Sequence, residues 1–184
     1  MALKFAVNNS LSAVTSLPTA IPTGSMTLLQ TQTASSSSTI DFTSNIDSTY
    51  DVYCFKFINI HPANDNVNFL FNGSDDDSSH SYDITKTTTF FRAHHNEAGS
   101  ATALGYRTGQ DLAQSTSFQQ LNLEVGNDND QSLSGSLHLY NPSSTTFVKH
   151  FIGRTNVSFE ADYTIDSYVA GYFNTTADIT AIQF

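Results

Sequence analysis

Polar and apolar residues alternate along several short segments, which is the pattern of β-strands with one buried and one solvated face. In one of them, Val67, Phe69 and Phe71 alternate with asparagines, and in 133–140 leucines alternate with serines and a histidine. Such segments recur about every 8–12 residues, as in β-sandwiches and barrels. The pattern predicts strands at 26–33, 39–43, 50–60, 67–72, 82–93, 101–106, 133–140, 146–155, 156–161, 163–173 and 179–184.

One of these segments, 50–60, does not alternate. As a strand it would carry apolar residues on both faces, with Val52, Cys54, Ile58 and Ile60 on one side and Tyr53, Phe55 and Phe57 on the other. A strand that is apolar on both faces belongs in the middle of a sheet that is covered on each side. We therefore expect a central strand whose second face packs against a loop, a helix or a neighbouring subunit.

The single helical candidate is 109–121, GQDLAQSTSFQQL. Asp111 can cap a short helix, and Leu112, Ser115 and Phe118 would share one stripe of it. Serine and threonine dilute the apolar stripe, so the segment predicts one or two helical turns.

The first 24 residues differ from the rest. They are small and polar, are interrupted by Pro18, Pro22 and Gly24, and show no sustained period. They predict an N-terminal arm or attachment segment at 1–24, followed by one sandwich domain at 25–184. Since the chain has neither the apolar core of a secretory signal nor an apolar run of about 18 residues, we expect no secretion signal and no membrane span.

The composition and the net charge argue against some classes of binding partner. Only 13% of the 184 residues are charged, 39% are hydrophobic, and 14 phenylalanines and eight tyrosines can fill a core. The net charge of −10 argues against nucleic acid and against anionic membrane surfaces, which both attract cationic proteins. The single cysteine, Cys54, cannot form a disulfide within the chain and is expected to be a buried hydrophobic residue.

The sequence contains none of the common catalytic motifs. The chain has no G-x-S-x-G elbow, no glycine-rich phosphate loop, no H-E-x-x-H and no C-x-x-C, and its carboxylates are scattered through turns. We therefore predict a protein that is not an enzyme, with no catalytic residue and no cofactor.

Three polar clusters could hold a metal. Asp75, Asp76 and Asp77 are dense oxygen ligands suited to calcium, but the same run fits a solvated hairpin tip. Asp128 and Asp130 resemble the first half of a calcium loop that lacks its closing glutamate. The third cluster comprises His94, His95 and Glu97; adjacent histidines on a strand point to opposite faces, so ordinary surface histidines are the favoured interpretation.

Five phrases, in order over residues 25–184, carry a resemblance: IDSTYDVYCFKFINIHPANDNVNFLFNGS, TKTTTFFRAHHNEA, GQDLAQSTSFQQL, VGNDNDQSLSGSLHLYNPSSTTFVKHFIGRT and VAGYFNTTADITAIQF. Together they resemble a family of virion structural proteins of tailed bacteriophages, especially marine phages and cyanophages. The resemblance implies a β-sandwich component of the phage particle, located in the virion and in contact with the major capsid protein or with tail proteins. It supplies no catalytic residues. Relatives continue past IQF into a turn and one more strand, so it also implies that this strand follows Phe184 or comes from another chain.

The sequence leaves two functions open. The first is a structural virion protein, either a capsid decoration or cement-type protein or another accessory surface protein. The alternative is a tail-fibre or receptor-binding module that binds carbohydrate, since jelly-roll-like antiparallel β-sandwiches often serve as lectins. Sugar binding would need exposed aromatic side chains; tryptophan is absent and most phenylalanines occupy predicted core positions.

The oligomeric state is predicted from two apolar features, the strand at 50–60 and the final segment ITAIQF. An exposed apolar face or strand edge is an aggregation hazard, and closed association buries it. We therefore expect a homotrimer. The alternative is a monomer in which residues 109–121 cover the second face of the strand at 50–60.

Overall fold

The computed structural model of the protein describes residues 26–159 and 161–184. Residues 32–184 form a compact unit, and residues 26–31, the described part of the other unit, contain no helix or strand. The arm predicted at 1–24 lies outside the described residues. The strand predicted at 26–33 is wrong, because none forms there.

The described residues contain ten strands and no helix. All pairings are antiparallel, in a four-stranded sheet of order β1-β10-β3-β6 and a six-stranded sheet of order β2-β7-β8-β9-β4-β5. The two sheets pack face to face, so the predicted all-β sandwich is confirmed, while its jelly-roll connectivity stays a prediction. The strands are β1 Asp41–Phe42, β2 Val52–Ile60, β3 Leu70–Ser74, β4 Lys86–Asn96, β5 Thr102–Tyr106, β6 Gln119–Gln120, β7 Leu133–Tyr140, β8 Lys149–Phe159, β9 Tyr163–Phe173 and β10 Ala181–Gln183.

Aromatic rings fill the space between the sheets. Phe71 of β3 contacts Phe151 of β8 edge-on, with 5.0 Å between ring centroids. Phe184 follows β10 and lies 5.0 Å from Phe57 of β2, also edge-on. Edge-to-face contacts between aromatic rings are favourable beyond the area that they bury. These rings therefore join the two sheets into one core.

The close approach of β7 and β8 depends on Gly135. An added Cβ would lie 2.8 Å from the Cα of Thr155 and nearer still to the carbonyl oxygen of Arg154, both backbone atoms of β8. No rotamer change can relieve such an overlap. Glycine is therefore required at this position to let the two strands pair.

We expect Gly135→Ala to lower the free energy of unfolding by about 2 kcal/mol, because the added methyl group pushes the two strands apart. Chemical denaturation monitored by circular dichroism would measure the change. The matched control is Gly105→Ala on β5, where an added Cβ meets no atom within 4 Å; it should change stability by less than about 0.5 kcal/mol. Equal effects of the two substitutions would contradict this account.

The helix predicted at 109–121 is wrong. The backbone of this segment pairs with β4: the Thr88 N–H donates to Leu112 O, and Lys86 and Ser115 exchange both of their backbone hydrogen bonds. The Leu112 N–H donates to the hydroxyl oxygen of Thr88 at 2.8 Å. Because β4 satisfies these groups, no i to i+4 helical bonds are needed. Further along, the segment contributes β6.

The central position predicted for 50–60 is also wrong, because β2 is the edge strand of the six-stranded sheet. Its Tyr53 and Phe57 side chains are buried as expected, but Val52 and Ile58 on the other side are exposed. Residues 109–121 cannot cover that side, because they pair beside β4, four strands away. The monomer in which that segment covers β2 is therefore excluded.

The C-terminal segment has no open edge. β10 lies between β1 and β3 and pairs with both, and Ile182 is fully buried. The argument for association that rested on an exposed edge at 179–184 is therefore wrong. The homotrimer stays a prediction, supported now by the exposed side of β2 alone.

Two further strand predictions change. The segments 146–155 and 156–161 form one strand, β8, and not two. Asn72, predicted on a wet face, is fully buried: its amide donates to Thr116 O at 2.9 Å, and its side-chain oxygen accepts from the Gly73 N–H at 2.8 Å.

Within the described residues, there is no helix able to cross a bilayer.

Candidate binding surface

The outer face of the six-stranded sheet, turned away from the core, carries a continuous row of side chains. Strand pairing places its members next to one another across all six strands. At a spacing of about 4.8 Å between strands, the part from β7 to β5 spans about 19 Å. We call it the outer row, and its members, from β2 to β5, are Lys56, Ser136, Arg154, Tyr168, Phe91 and Tyr106.

Arg154 and Asp166 fix the centre of this surface. The Arg154 guanidinium donates to both carboxylate oxygens of Asp166, at 3.0 Å from Nε and 2.7 Å from Nη2, and it also lies 4.9 Å from the centroid of the Tyr168 ring. The Tyr168 hydroxyl donates to the same carboxylate at 2.9 Å. The planar guanidinium suits both a bidentate carboxylate and an aromatic face. The three side chains therefore hold one another in place above the sheet.

Phe91 extends this arrangement toward β5. Its ring is stacked on Tyr168, with 4.7 Å between centroids and planes only 5° apart, and 40% of its surface remains exposed. Next to it on β5, Tyr106 is half exposed, and its hydroxyl donates to Asp111 at 2.6 Å. The row thus presents aromatic surface to solvent on side chains that are already oriented.

On the β7 side of Arg154 the surface is a shallow, open depression of about 330 Å³. It forms because β7 contributes only the small side chains of Ser134 and Ser136 next to the longer ones of β8 and β9. Hydroxyl, amide, guanidinium and carboxylate groups therefore converge next to the aromatic rings. The lining residues are Ser134, Gly135, Ser136, Arg154, Asn156 and Asp166.

The charges of this surface are balanced. The hydrogen bonds from Arg154 hold the pKa of the Asp166 carboxyl below its usual range. Hydrogen bonding to Asp166 in turn raises the pKa of Arg154. Hydrogen bonding to Asp166 raises the pKa of Tyr168. Since the one cation of the depression is neutralised by its own carboxylate, the depression suits uncharged ligands rich in hydroxyl groups.

The three aspartates at 75–77 occupy a connection between the two sheets, not the hairpin tip that was the alternative to calcium. β3 pairs with β10 and β6, whereas β4 belongs to the other sheet. The Asp75 carboxylate accepts from the Thr175 hydroxyl at 3.0 Å. The Asp76 carboxylate accepts from the backbone and the hydroxyl of Ser78, both at 2.8 Å, and from Ser79, and these bonds lower its pKa. The Asp75 and Asp76 oxygens are thus engaged by neighbouring hydroxyl groups.

The other candidate ligands lie in the segment 128–130 and on β4. The side chain of Gln131 accepts from the Asp128 backbone N–H at 3.3 Å, and Asp130 lies in the same turn. On β4, His94 is half-buried against Tyr163 while His95 is exposed on the opposite face, as strand alternation predicted. Within 26–159 and 161–184, no three His, Cys, Asp or Glu side chains lie close enough together to hold a metal ion.

The alternation of the sequence does not identify the residues of the outer row. Phe91, Tyr106 and Tyr168 are far apart in the chain, and the alternation gives a strand's two faces without telling which one is outer. One signal was present: Arg154 and Asp166 are charged residues in the interior of long apolar strands, where only an outward side chain is easily accommodated.

Comparisons of the chain with family models, with known proteins and with solved structures found no match.

Proposed function

We propose that the chain is a non-enzymatic structural component of a tailed-phage virion, an accessory protein of the decoration or cement type on the capsid exterior. The proposal rests on the phrases within residues 25–184 that resemble those of phage structural proteins. The fold is in keeping with it, because that family implies a sandwich. The acidic chain, at a net charge of −10, suits the outside of a particle better than contact with its nucleic acid.

The test is the copy number of the chain in purified particles. Phage particles that encode the chain are purified, and their proteins are separated by gel electrophoresis. The 20.1 kDa band is then quantified against the band of the major capsid protein. A capsid decoration protein should approach the copy number of the capsid protein, whereas a tail or fibre protein should be present in a few copies. Absence of the chain from intact particles would overturn the proposal.

A second candidate function, binding of a neutral glycan, is favoured by the outer row. Phe91 and Tyr106 present exposed ring surface on which the C–H face of a sugar can pack. Further along the row, beyond Tyr168, Arg154, Asn156 and Asp166 offer donors and acceptors for sugar hydroxyls in the depression. The net charge of −10 repels acidic glycans, so the ligand class is an uncharged oligosaccharide. As a virion protein, the chain would use this face to contact a host surface.

A glycan array probed with the labelled full-length chain tests this candidate. We expect reproducible sub-millimolar binding of neutral oligosaccharides, weakened up to about tenfold by Phe91→Ala because the stacking surface is lost. The control is Phe147→Ala, which removes an equally large exposed ring that lies outside all strands. No binding, or equal losses in the two variants, would exclude the outer row as a glycan site.

A further inference from the structure

The edge strands of the two sheets are not equally protected. β1 and β6 are only two residues long. β2 carries the charged Lys56 and a register shift between Phe57 and Ile60, with Asn59 at a positive φ of 52°. Short strands, charges and bulges are the usual means by which edge strands avoid pairing with other chains. Three of the four edges are thus protected.

β5, with the sequence TALGY, has none of these features. All five of its residues are exposed, and it contains no charged residue and no proline. Its pairing with β4 is regular from Thr102 to Tyr106, without a bulge. Leu104, in the middle of the strand, is 73% exposed. An exposed, uncharged and regular edge strand is a template for a further strand.

The pairing pattern shows which backbone groups this edge offers. The Asn96 N–H donates to Ala101 O, and the Arg107 N–H donates to Phe90 O. Because hydrogen-bonded positions alternate along an antiparallel pair, the intervening residues on β5 direct their N–H and C=O groups away from β4. These residues are Thr102, Leu104 and Tyr106, and their groups have no backbone partner among the described residues.

We propose that β5 pairs with β5 of a second copy of this chain, antiparallel about a twofold axis that passes beside Leu104. In this register Leu104 lies opposite its own counterpart, and Thr102 lies opposite Tyr106 of the other copy. Three residues on each strand exchange two backbone bonds per pair, so six hydrogen bonds close both edges. The two six-stranded sheets then continue as one sheet, and the two outer rows lie on the same face.

The strand itself favours a second copy over another partner. An antiparallel pair of identical strands is self-complementary, which is what a twofold contact requires. Two chains of net charge −10 repel each other, and β5 is a segment of the surface where no charged side chain lies in the strand. A five-residue pairing buries less than the ~800 Å² per partner of a permanent complex. The pair is therefore reversible, and it is favoured where copies are concentrated.

Sedimentation velocity of the full-length chain over a range of concentrations tests the proposal. We expect a species of twice the 20.1 kDa chain mass that dissociates on dilution. Leu104→Lys places two like charges opposite each other across the axis and should abolish that species. Leu104→Pro removes an outward N–H without removing a bond to β4, so it should weaken the pair while the sandwich stays folded.

The matched control is Ile58→Lys, which introduces the same charge at a residue that is 74% exposed on the opposite edge strand, β2. It should leave the dimer intact, and circular dichroism should show every variant folded. A monomer at all concentrations would overturn the proposal. A trimer would overturn it in favour of the homotrimer predicted from the sequence, and a dimer that withstands Leu104→Lys would overturn it as well.

Discussion

Replacing Phe184 by alanine is expected to lower the free energy of unfolding by about 3–5 kcal/mol, the range for removing a buried phenylalanine ring. The ring is 8% exposed and contacts five other phenylalanines from both sheets. Its backbone is held as well, because Phe184 and Ile40 exchange both of their hydrogen bonds, at 2.8 and 2.9 Å. The partner rings are Phe42, Phe55, Phe57, Phe69 and Phe71.

The large effect follows from the position of this ring. Phe57 and Phe55 belong to the six-stranded sheet, and Phe71 belongs to the four-stranded sheet, so a cavity at Phe184 removes contacts on both sides. Nearby aromatic rings are stiff and can collapse into the cavity only in part. Chemical denaturation of the purified variant would measure the loss. Phe147→Ala, at a ring that is 68% exposed, should change stability by less than about 0.5 kcal/mol.

Strands that alternate clearly could be predicted from the sequence alone. β7 and β9 begin and end at the predicted residues, because polar residues or turns flank a regular period of two. The alternation reports the environment of each strand separately. It therefore predicts the class of fold well, and it says little about which strands are neighbours.

The position of a strand in its sheet depends on pairing between distant segments. The sequence of β2 predicts a central strand because both of its faces are apolar, yet one face is exposed at the edge of the sheet. β10 reads as an exposed terminal strand, yet it lies between β1 and β3. In both strands the local pattern is correct and the inference about neighbours is wrong, because the partner strands are about 80 to 140 residues away in the chain.

The candidate surface depends on register for the same reason. Arg154, Tyr168 and Phe91 come from three strands, and a shift of one residue in any of them would turn its side chains to the other face. The alternation of β4 does not decide its outer face, since threonine and phenylalanine occupy both: Thr88 and Phe90 face the core, whereas Thr89 and Phe91 face outward. The same ambiguity conceals a buried lysine at the start of this strand.

The protein is expected to become more stable as the pH rises from about 8 to about 10, because Lys86 is buried. Lys86 is fully buried, and its Nζ donates to Ser117 O at 2.7 Å. Burial lowers its pKa from 10.5 to about 8. Below pH 8 the lysine is charged in both states, and folding bears the full cost of burying that charge. Between 8 and 10.5 the folded protein loses the proton while the unfolded chain keeps it, so stability rises with pH.

The full difference amounts to about 3 kcal/mol if the pKa shift is converted directly. Tyr82 acts in the opposite direction above pH 10, because burial raises its pKa to about 12 and the unfolded chain ionises first. The informative measurement is therefore the difference between the wild type and Lys86→Met in denaturant midpoints from pH 7 to pH 10. Methionine fills a similar volume without a charge, so the variant should lack this part of the rise. Lys56→Met, at an exposed lysine on β2, is the control and should keep it. Parallel curves for the wild type and Lys86→Met would show that Lys86 is not the group that titrates.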